Sequence, residues 1–232
     1  MSIYAIMEGM KSYLLPSLLA ADAGKLADEI KRAEDAGADA LHLDIMDGAF
    51  VPNLSFGPHI VAMAKKVTSM PLNVHLMLHR RDLFIKPFAD AGADTIQIQV
   101  ESSSLVAETL GKIRALGVAP AIVLNPETSY ESALPYLSLV DECLQMTVYP
   151  GYGGQKFKSG PLANVRALRA AANAAGKSDF RIMVDGGIDR NSIAACAEAG
   201  ANAFVAGTAL YSKADMKAEI NYFRALISGI QK

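Results

Sequence analysis

The residues able to do chemistry fall in two settings: strand-like runs carrying imidazole and carboxylate groups, and loops rich in glycine. In Leu41-His42-Leu43-Asp44-Ile45-Met46-Asp47-Gly48, a strand would put His42, Asp44 and Met46 on one face and Leu41, Leu43 and Ile45 on the other. The aliphatic face suits packing against helices, which turns the imidazole and the carboxylate inward. A buried carboxylate without a partner is too costly to persist, so Asp44 either pairs with the histidine or shares a metal ion with it. Leu72-Asn73-Val74-His75-Leu76-Met77 repeats the pattern, with Asn73, His75 and Met77 on one face, and Asp185 stands directly before Gly186 and Gly187. His42, Asp44, His75 and Asp185 form a set suited to one divalent transition ion per subunit, zinc first, with iron, manganese or cobalt also compatible. His59, at an expected helix start, and His79, beside Arg80 and Arg81, read as solvated; Asp47-Gly48 reads as a turn pair.

The glycine loops point to a different ligand. Pro150-Gly151-Tyr152-Gly153-Gly154-Gln155, Gly186-Gly187 and Gly207-Thr208 each follow a strand-like run late in the chain. Glycine lets backbone N–H groups approach an anion closely, and a following helix adds a favourable dipole. Three such loops together favour a phosphate site over a purely conformational role. No Walker motif is present, so a nucleoside triphosphate is not the expected ligand.

Such residues need a scaffold that gathers strand ends, and the chain alternates accordingly. Strands are expected at Tyr13–Leu19, Ala40–Met46, Leu72–Leu78, Thr95–Val100, Ala119–Leu124, Glu142–Val148, Arg181–Val184 and Ala203–Ala206. Between and after them, helical periodicity covers Lys25–Ala36, His59–Val67, Leu83–Ala91, Leu105–Leu116, Tyr130–Leu139, Pro161–Ala175, Asn191–Ala199 and Met216–Ile230. Ala36-Gly37-Ala38-Asp39, Ala91-Gly92-Ala93-Asp94 and Ala199-Gly200-Ala201-Asn202 each look like a helix end followed by the next strand. Eight βα units without a composition break predict an α/β fold, a single (β/α)8 TIM barrel, with its chemistry at the C-terminal strand ends. An open doubly wound sheet would offer a GxGxxG after the first strand, and Leu18-Leu19-Ala20-Ala21 is nothing like one.

Composition narrows the class further. At 232 residues, 51% hydrophobic and 20% charged, the chain can bury a substantial core without disulfide staples. Lys and Arg number 22 against 24 Asp and Glu, which gives no basic footprint for a nucleic acid or an anionic membrane. No apolar run is long enough to span a bilayer. Cys143 and Cys196 lack CxxC spacing and read as reduced core thiols, which fits a cytoplasmic protein. Residues 1–11 read as an N-terminal extension rather than a secretory signal, and 12–232 as the barrel domain.

Several ordered segments together resemble a known family. Ser17-Leu18-Leu19-Ala20, His42-Leu43-Asp44-Ile45-Met46-Asp47-Gly48-Ala49-Phe50-Val51-Pro52-Asn53, His75-Leu76-Met77, Met146-Thr147-Val148-Tyr149-Pro150-Gly151-Tyr152-Gly153-Gly154-Gln155 and Val184-Asp185-Gly186-Gly187-Ile188 are similar to the signature segments of ribulose-phosphate 3-epimerases. The resemblance runs from about Tyr13 to the last helix. It implies a metal-dependent isomerase of carbohydrate metabolism that interconverts D-ribulose 5-phosphate and D-xylulose 5-phosphate in the pentose phosphate pathway, working as a homo-oligomer. It makes His42, Asp44, His75 and Asp185 metal ligands, with Asp44 and Asp185 doubling as the acid/base pair. It places Ser17 and His75 against the substrate, and Met46, Met77 and Met146 around the reacting carbon, although barrel filling would equally explain the methionines. Gly153, Gly154, Gly186, Gly187, Gly207 and Thr208 would contact the phosphate. Inverting a carbon next to a carbonyl requires one proton removed from one face and another delivered to the other, which two opposed carboxylates accomplish through a cis-enediolate.

Three positions depart from the family pattern. Gln99 stands where histidine is usual, Tyr149 where asparagine or aspartate precedes Pro-Gly, and His79-Arg80-Arg81 in a stretch that is commonly less basic. Gln99 and Tyr149 bear on substrate identity, so a 3-epimerase of a hexulose phosphate such as D-allulose 6-phosphate is the alternative. A sugar-phosphate decarboxylase or aldolase would be expected to carry a strand-end lysine, and no expected strand interior has one. A non-catalytic sugar-phosphate sensor would be expected to have lost one acid/base residue, and it would tolerate EDTA.

Overall fold

The computed structural model describes residues 11–102 and 105–230. Among them, eight strands form one sheet: β1 (Tyr13–Pro16), β2 (Leu41–Met46), β3 (Leu72–Met77), β4 (Thr95–Gln99), β5 (Ala119–Leu124), β6 (Glu142–Met146), β7 (Arg181–Asp185) and β8 (Ala203–Ala206). They run in the order β1-β8-β7-β6-β5-β4-β3-β2 with every neighbouring pair parallel. A parallel bridge from Ser17 to His42 closes the ring between β1 and β2. The eight-stranded α/β barrel expected from the alternation is therefore the fold.

Helices α1 (Leu26–Asp35), α2 (Pro58–Val67), α3 (Ile85–Asp90), α4 (Val106–Ala115), α5 (Leu162–Ala174), α6 (Ile193–Glu198), α7 (Thr208–Tyr211) and α8 (Met216–Ile230) surround the sheet. The Ala-Gly-Ala repeats end α1, α3 and α6 as expected, with their glycines at positive φ. Alternation along each strand divides the core in two. Leu41, Leu43, Ile45, Val74 and Cys143 pack outward with the helices, whereas Leu15, Val123, Leu144, Met146, Met183 and Val205 fill the barrel. None of the described helices is long and apolar enough to cross a membrane.

The structure corrects several boundaries. The helix expected over 130–139 is instead two 3-10 turns, Tyr130–Ser132 and Leu134–Tyr136. Pro135 explains this, since it lacks an N–H and its ring collides with the carbonyl four residues earlier in an α-helix. The first strand stops at Pro16, not Leu19, where Leu18–Ala20 winds into a 3-10 turn, and the sixth stops at Met146, not Val148. Helix α7 was not expected. The extension expected over 1–11 lies, apart from Lys11, outside the described residues.

Candidate active site

At the C-terminal ends of the strands the barrel opens into a cavity of about 770 Å³. Its wall includes Ser17, Asp44, Met46, Met77, Met146, Asp185 and the glycines expected to meet a phosphate: Gly153, Gly154, Gly186, Gly187 and Gly207, with Thr208. His42 and His75 lie just behind this wall, with no exposed surface. Strand register explains the convergence. Asp44 is level with His75 and Met46 with Met77 across β2 and β3, while Met146 is level with Asp185 across β6 and β7. Met46 and Met77 pack with Val51, Leu19 and Phe50 into a small apolar cluster at the mouth. The two aspartates stand on β2 and β7, separated around the ring by β1 and β8.

Asp44 is the hub. Its Oδ1 lies 3.2 Å from His42 Nε2 and 3.3 Å from His75 Nδ1, and its Oδ2 accepts a hydrogen bond from Ser17 Oγ at 2.8 Å. His42 Nε2 is also 4.0 Å from Asp185 Oδ2. One ligand atom from each of His42, Asp44, His75 and Asp185 falls within 4.8 Å of all the others. A tetrahedral ion with bonds of about 2.0–2.1 Å holds its ligand atoms roughly 3.3–3.4 Å apart, so the residues fit a divalent ion with modest adjustment of Asp185.

The electrostatics of these four side chains are divided. Burial alone would lower the His42 imidazole, but the adjacent Asp44 carboxylate outweighs it and pushes the group up to about 9. Burial opposes ionisation of Asp44, yet His42 and His75 hold its carboxyl well below the usual range. His75 is lowered by burial. Burial, reinforced by the charge of Asp44, pushes Asp185 up to about 7. Two carboxyl groups thus face one cavity with their affinities for protons driven apart.

Loops organise the rim. Asp47 is a turn residue, as expected, but also a clamp: Oδ1 accepts from the Ala49 and Phe50 amides and Oδ2 from the His79 amide. Asn53 Nδ2 donates to the Gly151 carbonyl at 2.7 Å and the Tyr152 hydroxyl to the Pro52 carbonyl at 2.6 Å, clasping the loops after β2 and β6. The Tyr149 hydroxyl donates to Glu127, and Lys158 Nζ sits 4.1 Å from the Tyr149 ring centre. His59 and His79 are exposed, in keeping with the solvated reading.

Sequence reasoning overlooked a polar layer beneath the cluster. Glu142, 1% exposed, accepts from Asn73 Nδ2 at 2.7 Å and Gln97 Nε2 at 2.6 Å and pairs with Arg181 at 3.1 Å. The available signal was period-two polarity, since Thr95, Gln97 and Gln99 share one face of β4. Lys156, Arg190 and Lys213 also line the cavity and were not singled out; Arg190 is already paired with Glu219.

The chain also matches known proteins. Residues 13–211 match the model of the ribulose-phosphate 3 epimerase family. The chain is 42% identical over 209 residues to ribulose-phosphate 3-epimerase of Bacillus subtilis strain 168, covering 90% of this chain and 96% of that protein. It is 43% identical over 199 residues to the Synechocystis protein of the same name, covering 85% and 86% respectively. Among solved structures, the tryptophan synthase α-subunit of Pyrococcus furiosus superposes with a TM-score of 0.70 at 16% identity, covering 93% of this chain and 99% of that one. A 3-hexulose-6-phosphate synthase superposes at 0.65 and 19% identity, covering 93% and 99%. At such identities the likeness establishes the barrel alone.

Proposed function

We propose, for a chain that belongs to the ribulose-phosphate 3-epimerase family, that Asp44 and Asp185 invert carbon 3 of D-ribulose 5-phosphate to give D-xylulose 5-phosphate through a cis-enediolate. The observation that carries the mechanism is the pair of carboxylates, raised on strands separated around the ring, that share one methionine-lined cavity. One aspartate removes the proton from its face of carbon 3 and the other delivers a proton to the opposite face; the roles exchange in the reverse direction. Ser17, hydrogen-bonded to Asp44, holds that carboxylate in place and borders the sugar. Met46, Met77 and Met146 exclude water with an adaptable surface. Gly153, Gly154, Gly186, Gly187, Gly207 and Thr208 line the part of the cavity that would receive the phosphate.

His42, Asp44, His75 and Asp185 would hold one divalent ion, with zinc the first choice on ligand chemistry; His75, expected against the substrate, lies behind the cavity wall with no exposed surface. Such an ion, when bound, would polarise the carbonyl and stabilise the negative charge of the enediolate. The buried Cys143 and Cys196 thiols, both unpaired, support a cytoplasmic setting. The family resemblance suggests a homo-oligomer, which light scattering would test. We take 12–232 as the epimerase domain.

A coupled assay with D-ribulose 5-phosphate and D-allulose 6-phosphate, with and without EDTA, tests the reading. EDTA-sensitive turnover of the pentose is expected. Turnover of the hexulose alone would move the substrate assignment, and turnover of neither would end it.

A further inference from the structure

Beyond the four candidate ligands, one buried side chain touches the cluster without a part in the mechanism. Gln99 ends β4 with no exposed surface, and its Nε2 lies 3.1 Å from His75 Nε2. The other ring nitrogen of His75, Nδ1, faces Asp44 Oδ1 at 3.3 Å. In a neutral imidazole one nitrogen donates and the other accepts. With the amide nitrogen toward it, His75 Nε2 is the acceptor, so the ring proton sits on Nδ1 and points at Asp44. Gln99 Oε1 then has no hydrogen-bond partner among the described residues. A protonated Nδ1 has no lone pair for a cation. For Nδ1 to bind an ion the proton must reside on Nε2, where it needs an acceptor.

We propose that Gln99 is a positioning residue for the metal centre: its carboxamide turns over when an ion loads, presenting Oε1 to His75 Nε2–H and so selecting the tautomer that binds through Nδ1. The inference rests on the reading of the four-residue cluster as a metal centre. The two amide orientations have nearly the same shape, so the exchange needs rotation of the side chain and no movement of the strand. The Gln99 backbone is fixed. Its carbonyl accepts from Arg81 NH1 at 3.0 Å and Ser102 Oγ at 2.9 Å, and the residue is in register with Val123 of β5. Two of the stretches that depart from the family pattern thus meet at one point, with Arg81 holding the backbone whose side chain orients His75. His42 has no such support, since its Nδ1 is buried without a hydrogen-bond partner among the described residues. Tautomer control therefore falls on Gln99.

The test combines zinc affinity, measured by competition with a chromophoric chelator, with ¹⁵N NMR of the histidine ring nitrogens. Gln99→Leu fills similar space but can neither donate nor accept, and should weaken zinc binding by about 10–100-fold, as loss of an outer-shell partner does. Gln99→Glu can only accept, and should bind zinc more tightly than Gln99→Leu. In the wild type, zinc should move the His75 proton from Nδ1 to Nε2, a shift that needs no variant to fold. Equal zinc affinity for wild type and Gln99→Leu, no rescue by Gln99→Glu, or an unprotonated His75 Nε2 in the zinc-loaded wild type would each overturn the role of Gln99 and leave the metal centre standing. A wild type that binds no zinc would remove both.

Discussion

Two glycines on the same cavity wall should respond differently to a single methyl group. Gly186 has φ +119, and a Cβ there would meet both methyls of Val148 and lie 2.8 Å from the Val148 backbone nitrogen. The strand end has little room to yield. Thr147 donates its amide to the Asp185 carbonyl at 2.7 Å and its hydroxyl to the Asp185 and Gly186 carbonyls at 2.8 and 2.7 Å. Gly186→Ala therefore incurs a backbone cost of about 1–3 kcal/mol and an overpacking cost of about 1–3 kcal/mol. For a chain of this size each kcal/mol lowers Tm by about 2–4 °C, so a drop on the order of 5–20 °C is expected. At Gly153 a Cβ would meet no atom within 4 Å, and φ is not positive. Gly153→Ala should leave stability within about 1 kcal/mol of wild type. If its backbone faces the phosphate, the methyl should raise KM for the sugar phosphate while kcat holds. Differential scanning calorimetry and steady-state kinetics on the two variants separate the effects. Equal Tm values for both variants, each near wild type, would refute the reasoning.

Other outcomes follow from the buried charges. In the metal-free protein the folded-state pKa of His42 is raised from 6.5 to about 9, so its stabilising contribution is complete below pH 6.5 and is lost as pH rises through 9. Asp185, raised from 3.8 to about 7, is likewise held protonated by the fold, so stability falls further as pH rises across that lower window. The metal-free Tm should thus decline between pH 7 and 9, whereas zinc, which needs deprotonated ligands, should stabilise more at pH 9 than at pH 7; a flat metal-free profile would contradict this. Ser17→Ala removes the 2.8 Å donor to Asp44 and should cost about 1–3 kcal/mol in urea denaturation of the metal-free protein. Glu142→Ala strands the Asn73 and Gln97 amides and Arg181, and should cost about 3–5 kcal/mol; a change under about 1 kcal/mol would show the network to be dispensable.

Much of this site is visible in the sequence because period-two alternation assigns faces. Leu41, Leu43 and Ile45 mark the outer face of β2, so His42 and Asp44 must point inward, and β3 repeats the logic. The glycine loops are legible as loops, but their separate roles are not, because only the fold shows that Val148 blocks a side chain at Gly186 while nothing blocks one at Gly153. Segment 130–139 carries apolar residues at helical spacing, yet Pro135 limits it to two 3-10 turns. Glu142 was missed for a different reason. At a strand start it looks like a solvated charge, and its partners Asn73, Gln97 and Arg181 lie on three other strands. The contact between Gln99 and His75 depends on the registers of β3 and β4, which no local pattern specifies.

The central claim is that Asp44 and Asp185 each serve one face of carbon 3, and exchange of the carbon-3 hydrogen with deuterated water tests it most directly. Asp44→Asn and Asp185→Asn would each be incubated with D-ribulose 5-phosphate and, separately, with D-xylulose 5-phosphate. Each variant should fail to interconvert the two sugars. Each should exchange the hydrogen of only one epimer, and the two variants should act on opposite epimers. A variant that still converts one sugar into the other, or exchange of the same epimer by both, would contradict the account.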